Sequence, residues 1–241
     1  MSNLRPITIL QLYPNDMNIY GDWGNVLVLK RRLEWHGYAP QLVEYNVGDE
    51  FPENVDVIIG GGGQDSGQSV IQQDLLSIGP KLRQLAENGV PMLVICGLYQ
   101  LFGHRFVTHE GDEIRGIGLL DVDTVASKER MIGNIITDSD EFGPIVGFEN
   151  HSGKTTLGPA ARPLAQVRLG AGNNGQDGTE GARQHNVIGS YLHGSLLPKN
   201  PQLADWLIAE AVKRACGTFT PSDIDDRLAE RAREIALKLG R

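Results

Sequence analysis

Residues 90–103, VPMLVICGLYQLFG, are the stretch on which the predicted fold depends. The unbroken apolar run at residues 92–95 is typical of a strand buried on both faces of a parallel sheet. Cys96 and Gly97 interrupt this run, and a helix-like pattern follows. A cysteine at such a turn stands clear of the sheet, and the following N–H groups lie at a helix N-terminus, where they favour a thiolate and later an oxyanion. Cys96 is therefore a candidate nucleophile, and the alternative is a buried structural cysteine.

Strand-like and helix-like segments alternate on both sides of this stretch. The sequence predicts strands at residues 7–13, 41–45, 55–59, 92–95 and 187–192, and helices at 25–36, 66–76, 79–88, 201–215 and 223–239. The alternation predicts an α/β fold with a doubly wound, mostly parallel sheet flanked by helices. Some antiparallel strands are expected in the middle of the chain, at residues 106–107, 116–119, 132–136 and 145–148.

Length and composition indicate a soluble globular protein and exclude two kinds of partner. The 241 residues predict one α/β domain at 1–220, with residues 221–241 as a C-terminal helical extension of the same domain. A net charge of −8 offers no attraction to nucleic acid or to an anionic membrane surface. No apolar run approaches the roughly 20 residues that a transmembrane helix needs. Two cysteines and no signal peptide predict a cytoplasmic location.

A histidine follows the last predicted strand in the same way that Cys96 follows its own. Because the carboxyl ends of parallel strands share one edge of a sheet, His193 and Cys96 can converge there although they are far apart in sequence. A cysteine and a histidine form a standard nucleophile and base. The alternative for His193 is a core histidine satisfied by a backbone carbonyl, although Gly189 and Gly194 allow close approach of a ligand.

A run of four glycines, residues 60–63, ends another predicted strand. The N–H of Gly62 or Gly63 could form an oxyanion hole with that of Gly97, and the alternative is a plain turn. A phosphate-binding P-loop is excluded because no Gly-Lys-Ser/Thr follows. We predict no metal site, and we expect four histidines to be surface or loop residues because their spacing offers no set of ligands: His104, His109, His151 and His185.

Several motifs resemble those of one enzyme family. Residues 95–100 (ICGLYQ) resemble the nucleophile motif of class I glutamine amidotransferases, and residues 189–194 (GSYLHG) resemble the histidine motif of their cobyric acid synthase-like branch. The resemblance narrows to the small, GatD-type subunits of lipid II isoglutaminyl synthases through four further stretches: 18–25 (NIYGDWGN), 61–63 (GGG), 145–151 (IVGFENH) and 196–200 (LLPKN). It extends from about residue 7 to about residue 225.

The resemblance implies a glutaminase that works as one half of a heterodimer. Such a subunit hydrolyses L-glutamine to glutamate and ammonia, and a Mur ligase-like partner uses the ammonia to amidate the D-glutamate of the lipid II stem peptide to D-isoglutamine in peptidoglycan synthesis. It also implies that Cys96 is the nucleophile, that His193 is the base and later the acid, and that Arg130 and Gln100 bind the substrate. No cofactor is expected in this chain, whereas ATP and magnesium are expected on the partner subunit.

Three positions depart from the family pattern. Val94 and Leu98 stand where related amidotransferases often carry glycines, two residues before and two after the cysteine. Ser195 stands where the usual triad has a glutamate, two residues after the histidine. The third acid is then dispensable, or is Glu149, or comes from the partner subunit, and of these we favour the partner.

The sequence leaves three other functions open. One is another cobyric acid synthase-like amidotransferase acting on a corrinoid, although such proteins usually carry a synthetase domain for which this chain has no room. A second is a stand-alone γ-glutamyl Cys-hydrolase. The third is a non-catalytic subunit, because the apolar residues of 223–241 have helical spacing and could dock a partner.

Overall fold

The main layer of the computed structural model, which describes residues 5–193 and 195–239, is a six-stranded sheet. Its strands lie in the order β11 (Ala182–Gln184), β12 (Val187–Ser190), β4 (Met92–Ile95), β3 (Val57–Gly60), β1 (Ile7–Leu12) and β2 (Pro40–Tyr45). All neighbours are parallel except β11 and β12. The four inner strands are buried along their whole length, which explains why apolar residues dominate them, although Thr8, Gln11 and Ser190 are buried there as well.

The helices of the described residues pack on this sheet or extend from it. They are α1 (Gly24–Trp35), α2 (Asp65–Glu87), α3 (Gly97–Phe102), α4 (Pro201–Cys216) and α5 (Arg227–Ala236). The sequence predicted two helices where α2 is one, and this prediction was wrong. A single buried apolar stripe continues past Pro80, and its burial outweighs the hydrogen bond that the proline removes. Helix α5 is also shorter than the predicted 223–239.

A second six-stranded sheet covers the middle of the chain and confirms the antiparallel strands expected there. It contains β5 (Arg105–Val107), β6 (Glu113–Arg115), β7 (Val122–Ser139), β8 (Gly143–Leu157), β9 (Ala165–Leu169) and β10 (Thr179–Glu180). The predicted strands at 132–136 and 145–148 are parts of one long β7–β8 hairpin, whereas 116–119 is not a strand. The β7–β8 register shifts between Ala126 and Met131, so the intervening residues bulge out of the ladder.

The helices formed by the described residues are all too short or too polar to cross a membrane.

Two glycines on neighbouring strands make room for the turn at Cys96. A Cβ atom at Gly60 on β3 would lie 2.4 Å from Leu98 Cδ1. A Cβ atom at Gly189 on β12 would lie 2.0 Å from Tyr99 Cδ2. The bulky Leu98 is thus accommodated because the adjacent strand carries the glycine that the turn itself lacks.

This packing predicts the effect of Gly60→Ala on stability. The added methyl group collides with Leu98, so the free energy of unfolding should fall by about 1–3 kcal/mol. In a Leu98→Ala background the collision is removed, and the same substitution should cost less by roughly 1 kcal/mol or more. Urea unfolding of the four proteins, followed by circular dichroism, measures both values. An equal cost in the two backgrounds would show that Gly60 is not needed to accommodate Leu98.

Candidate active site

Cys96 lies at the sharp turn between β4 and α3, in a backbone conformation that a side chain rarely adopts. Its φ is 49° and its ψ is −103°, and such strain in a non-glycine residue is typical of functional sites. The Cys96 N–H donates a hydrogen bond of 2.8 Å to the Ser190 carbonyl at the end of β12. The turn is therefore fixed to the neighbouring strand, and the side chain is 8% exposed.

His193 comes from the end of that neighbouring strand and is almost fully buried. The parallel register places Ser190 opposite Ile95, so the chain leaving β12 passes beside Cys96. The His193 N–H donates to the Phe148 carbonyl at 2.8 Å, which ties this segment to β8. A Cβ atom at Gly62 would lie 2.7 Å from His193 Cε1 and 3.2 Å from Cys96 Cβ. The structure thus brings together the two side chains that the sequence predicts to converge.

Asp22 is a third member of this cluster that the sequence reasoning missed. Its Oδ2 lies 3.4 Å from His193 Nδ1, an ion-pair distance, and the carboxylate is 1% exposed. The same oxygen accepts a 2.8 Å hydrogen bond from the Gly62 N–H. Asp22 belongs to the NIYGDWGN stretch noted above, but it lies in a loop before α1. No local pattern shows that this loop folds back over the sheet edge.

Glu149, one of the predicted sources of a third acid, is used elsewhere. Its carboxylate accepts hydrogen bonds from the N–H groups of Ala171, at 2.8 and 3.1 Å, and Gly172, at 2.9 Å. Glu149 therefore holds the glycine-rich loop in place, and among the described residues Asp22 is the carboxylate within ion-pair distance of His193. A carboxylate from a partner subunit stays a prediction.

Ser195, two residues after His193, holds the Asp22 loop. Its hydroxyl donates a 2.9 Å hydrogen bond to the Gly21 carbonyl. A Cβ atom at Gly24 would lie only 2.2 Å from Ser195 Oγ, so the two segments are in close contact. Gly194, the last residue of the histidine motif, lies outside the described residues.

The surroundings of His193 favour its charged form. Burial acts to lower the pKa of the imidazole, but the negative charge of Cys96 and the Asp22 carboxylate outweigh burial and raise the pKa to about 10. A protonated imidazole beside a sulfur atom can hold a thiolate and later deliver a proton.

The glycine run and the turn at Cys96 lie against each other, as an oxyanion hole requires. The Gly63 nitrogen is 3.0 Å from the position that a Cβ atom would take on Gly97. The Gly62 N–H is engaged by Asp22, so Gly63 is favoured over Gly62 as the second donor. The oxyanion role of Gly63 and Gly97 stays a prediction.

A cavity of about 360 Å³ opens onto Cys96 and is also lined by Gln100 and Arg130. Arg130 Nε donates a 2.7 Å hydrogen bond to Asn150 Oδ1, and Nη2 lies 3.3 Å from the Tyr20 hydroxyl. The Tyr20 ring packs edge-on against the His193 ring, with centroids 4.6 Å apart. These contacts hold the Arg130 guanidinium beside the cavity, where it can bind a carboxylate.

Gln100 forms part of the cavity wall but its side chain is anchored. Its Oε1 accepts a 2.8 Å hydrogen bond from Gln68, and its Nε2 donates to the Tyr191 hydroxyl at 3.2 Å. Both polar ends thus have protein partners, so Gln100 shapes the cavity. Direct contact of Gln100 or Arg130 with a substrate stays a prediction.

His151 is buried, and the expectation of a surface or loop position was wrong. It lies on β8, where alternate residues face inward, and its side chain is 3% exposed. It lines the same cavity as Cys96. No metal-binding group of His, Cys, Asp or Glu occurs among the described residues.

Comparisons with known proteins found similarity to one enzyme family. The CobB/CobQ-like glutamine amidotransferase domain matches residues 8–201. The subunit GatD of the glutamine-hydrolysing lipid II isoglutaminyl synthase of Staphylococcus aureus (strain N315) is 36% identical over 97% of this chain and 96% of its own. The protein of the same name from Streptococcus pneumoniae (strain ATCC BAA-255 / R6) is 39% identical over 88% and 82% of the two chains.

More distant similarities concern the fold and the wider family. A glutamine amidotransferase of known structure from Thermotoga maritima has a TM-score of 0.56 at 13% identity, covering 96% of this chain and 94% of that one. The cobyric acid synthase of Sphingopyxis alaskensis (strain DSM 13593 / LMG 18877 / RB2256) is 33% identical over 63% of this chain, which corresponds to 31% of its own length.

The contact between Asp22 and His193 predicts that replacing Asp22 changes the pKa of His193. Asp22→Asn removes a negative charge from beside the ring, so the pKa of His193 should fall below its value of about 10. Nuclear magnetic resonance of ¹³C-labelled histidine, with the signal assigned through His193→Gln, measures this pKa. Glu149→Gln is the comparison, and it should leave the pKa unchanged. A shift in Glu149→Gln and none in Asp22→Asn would show that the wrong carboxylate has been chosen.

Proposed function

This chain belongs to the CobB/CobQ-like glutamine amidotransferase family and, within it, to the GatD-type subunits, and from this we propose that it hydrolyses L-glutamine to supply ammonia for the amidation of lipid II. It is a glutamine-hydrolysing amidotransferase subunit of a ligase. The observation that carries the proposal is the pairing of a strained Cys96 with a buried His193 at the edge of a cavity large enough for an amino acid.

The first half of the reaction forms a thioester. The glutamine carboxylate binds Arg130, and the side-chain amide reaches Cys96. The thiolate attacks the amide carbon, and the negative charge that collects on the oxygen is stabilised by the N–H groups of Gly97 and Gly63. His193 then gives its proton to the nitrogen as the carbon–nitrogen bond breaks, which releases ammonia.

The second half restores the enzyme. His193, now neutral, takes a proton from a water molecule as the water attacks the γ-glutamyl thioester. The carbon–sulfur bond breaks, glutamate leaves, and the thiolate and imidazolium are regenerated. Asp22 stabilises the charged imidazole whenever it forms, since its carboxylate lies within ion-pair distance of Nδ1.

The ammonia is consumed on a second subunit. Free ammonia is mostly protonated in neutral water and is then not a nucleophile, so a sealed path to the second site is expected. We propose that a Mur ligase-like synthetase forms a heterodimer with this chain, uses ATP and magnesium to activate the D-glutamate carboxylate of the lipid II stem peptide, and converts it to D-isoglutamine. This chain itself needs no cofactor for the glutaminase step.

Cys96→Ser tests the proposal. In the complex with the proposed Mur ligase-like partner, the variant should lose glutamine-dependent amidation of lipid II by on the order of 10³-fold or more, because the nucleophile is gone. Amidation driven by added ammonium chloride should persist, because the synthetase site is untouched. Mass spectrometry of the stem peptide measures both reactions.

The other cysteine provides a matched control. Cys216 is half-buried at the end of α4 and is not among the residues that line the cavity, so Cys216→Ser should keep full activity. Retention of glutamine-dependent amidation by Cys96→Ser would show that Cys96 is not the nucleophile. Ammonia release at full rate by the isolated chain, with no partner and no effect on lipid II, would instead favour a stand-alone γ-glutamyl hydrolase.

A further inference from the structure

Glu180 is a fully buried carboxyl group, close to the catalytic pair of Cys96 and His193, that the mechanism above does not use. It belongs to β10, on the second sheet, and its exposed fraction is 0%. Moving an acid from water into a protein interior costs free energy unless hydrogen bonds replace its contacts with water. Fully buried glutamates are therefore rare, and the donors around Glu180 show what the group holds in place.

The backbone brings Glu180 to the carboxyl end of β12. Strand β11 pairs with β12 in an antiparallel register that puts Ala182 opposite Gly189. Continued by two residues, this register places Glu180 beside Tyr191. The approach is close, because a Cβ atom at Gly181 would lie 2.6 Å from the Gly189 carbonyl oxygen. The glycine at residue 181 consequently lets the Glu180 segment lie against the end of β12.

The carboxyl group of Glu180 holds three consecutive residues at that end. Its Oε1 accepts a 2.7 Å hydrogen bond from the Ser190 hydroxyl and a 2.9 Å hydrogen bond from the Tyr191 N–H. The Ser190 hydroxyl oxygen accepts in turn from the Leu192 N–H at 3.0 Å. The parallel ladder with β4 ends at Ser190, so these hydrogen bonds fix residues that lie beyond the paired part of the strand.

The segment that Glu180 holds is connected to both members of the catalytic pair. The Ser190 carbonyl accepts the hydrogen bond from the Cys96 N–H, at 2.8 Å. His193 follows Leu192 directly, so the position of its ring depends on the course of this segment. Glu180 itself is not among the residues that line the cavity at Cys96. An effect of Glu180 on the reaction must therefore pass through residues 190–192.

The protonation of Glu180 bears on the choice of variants. Burial raises the pKa of the carboxyl group to about 7, the hydrogen bonds from Ser190 and Tyr191 oppose this shift, and the negative charge of Glu149 adds to it. Oε1 can accept hydrogen bonds in the ionised form and, with the proton on Oε2, in the neutral form. A glutamine at residue 180 would have the same shape and an acceptor oxygen, so it should replace either form.

We propose that Glu180 is a positioning residue, which sets the distance between Cys96 and His193 by holding residues 190–192. The inference rests on the proposed glutaminase function and deepens it, because the pair then needs this support to act on an amide. A misplacement of reacting groups by about 1 Å can lower a rate by on the order of 10²-fold. The competing role is structural only, in which Glu180 joins the two sheets and the catalytic pair keeps its geometry without it.

Glu180→Ala tests the inference, and Glu180→Gln is the variant that should keep the wild-type behaviour. In Glu180→Ala, ammonia release from L-glutamine by the full chain should have a kcat that is roughly 10- to 100-fold lower. KM should change by less than about threefold, because Arg130 and the cavity are untouched. The pKa of His193, measured by nuclear magnetic resonance, should fall below its value of about 10, because the negative charge of Cys96 moves away from the ring. Glu180→Gln should keep kcat and this pKa close to the wild type.

A buried carboxylate elsewhere in the main sheet is the matched control. Asp56 lies just before β3, at the opposite end of the parallel strands from Cys96, and is 0% exposed. It accepts a 2.9 Å hydrogen bond from the Thr8 N–H on β1. Asp56→Ala should lower the urea midpoint of unfolding, as Glu180→Ala does, but keep kcat and the pKa of His193. An equal loss of kcat in the two alanine variants would show that activity follows stability, which overturns the inference.

Three other results would also overturn the inference. An unchanged kcat and an unchanged pKa of His193 in Glu180→Ala would show a structural role only. Glu180→Gln as impaired as Glu180→Ala would show that hydrogen-bond acceptance at residue 180 is not the cause. If Glu180→Ala does not fold, Ser190→Ala, which removes one of the two hydrogen bonds to Oε1, should lower kcat by roughly 3- to 10-fold at constant KM. An unchanged kcat in Ser190→Ala is the third such result.

Failure of the proposed function can be told apart from failure of the inference. A wild-type protein that releases no ammonia from L-glutamine, alone or with the ligase subunit, would disprove the glutaminase function. The pKa of His193 in Glu180→Ala, Glu180→Gln and Asp56→Ala would still show whether Glu180 positions the pair, because this measurement needs no substrate.

Discussion

The pairing of β12 with β4 is the constraint on which the site depends. Parallel neighbours end at the same edge of a sheet, and the hydrogen bond from the Cys96 N–H to the Ser190 carbonyl locks the two ends together. Glycines on the flanking strands then let the backbone approach more closely than any side chain would allow. A methyl group at Gly62 would touch both His193 and Cys96. These two side chains can therefore lie together only because residue 62 has no side chain.

Buried asparagine side chains join the loops that surround this edge. Asn25, at the start of α1, accepts a hydrogen bond from the Leu197 N–H at 2.9 Å. Asn200 bonds both the N–H and the carbonyl of Val146 on β8, at 3.1 and 2.9 Å. Three stretches far apart in sequence thus meet through hydrogen bonds of buried side-chain amides, which makes their positions specific. These contacts, and the hydrogen bond from Ser195, hold the loop that carries Asp22 in position.

Much of the fold follows from local patterns, because a strand buried on both faces is mostly apolar. The positions of Cys96 and His193 follow as well, since each ends such a strand. The features that the sequence did not predict depend on contacts between distant segments. Helix α2 continues past Pro80 because the sheet covers one continuous stripe, and His151 faces inward because the β7–β8 hairpin closes over the cavity. Asp22 reaches His193 only through the folding back of a loop.

Cys96 and His193 act as one unit on an amide bound between them. The test is alkylation by 6-diazo-5-oxo-L-norleucine, a glutamine analogue in which a reactive diazo carbon takes the place of the amide nitrogen, followed by peptide mapping. We expect a single adduct on Cys96, protection by L-glutamine, and labelling that is slower by on the order of 10²-fold in His193→Gln. Labelling of Cys216 instead, or equal rates with and without His193, would contradict it.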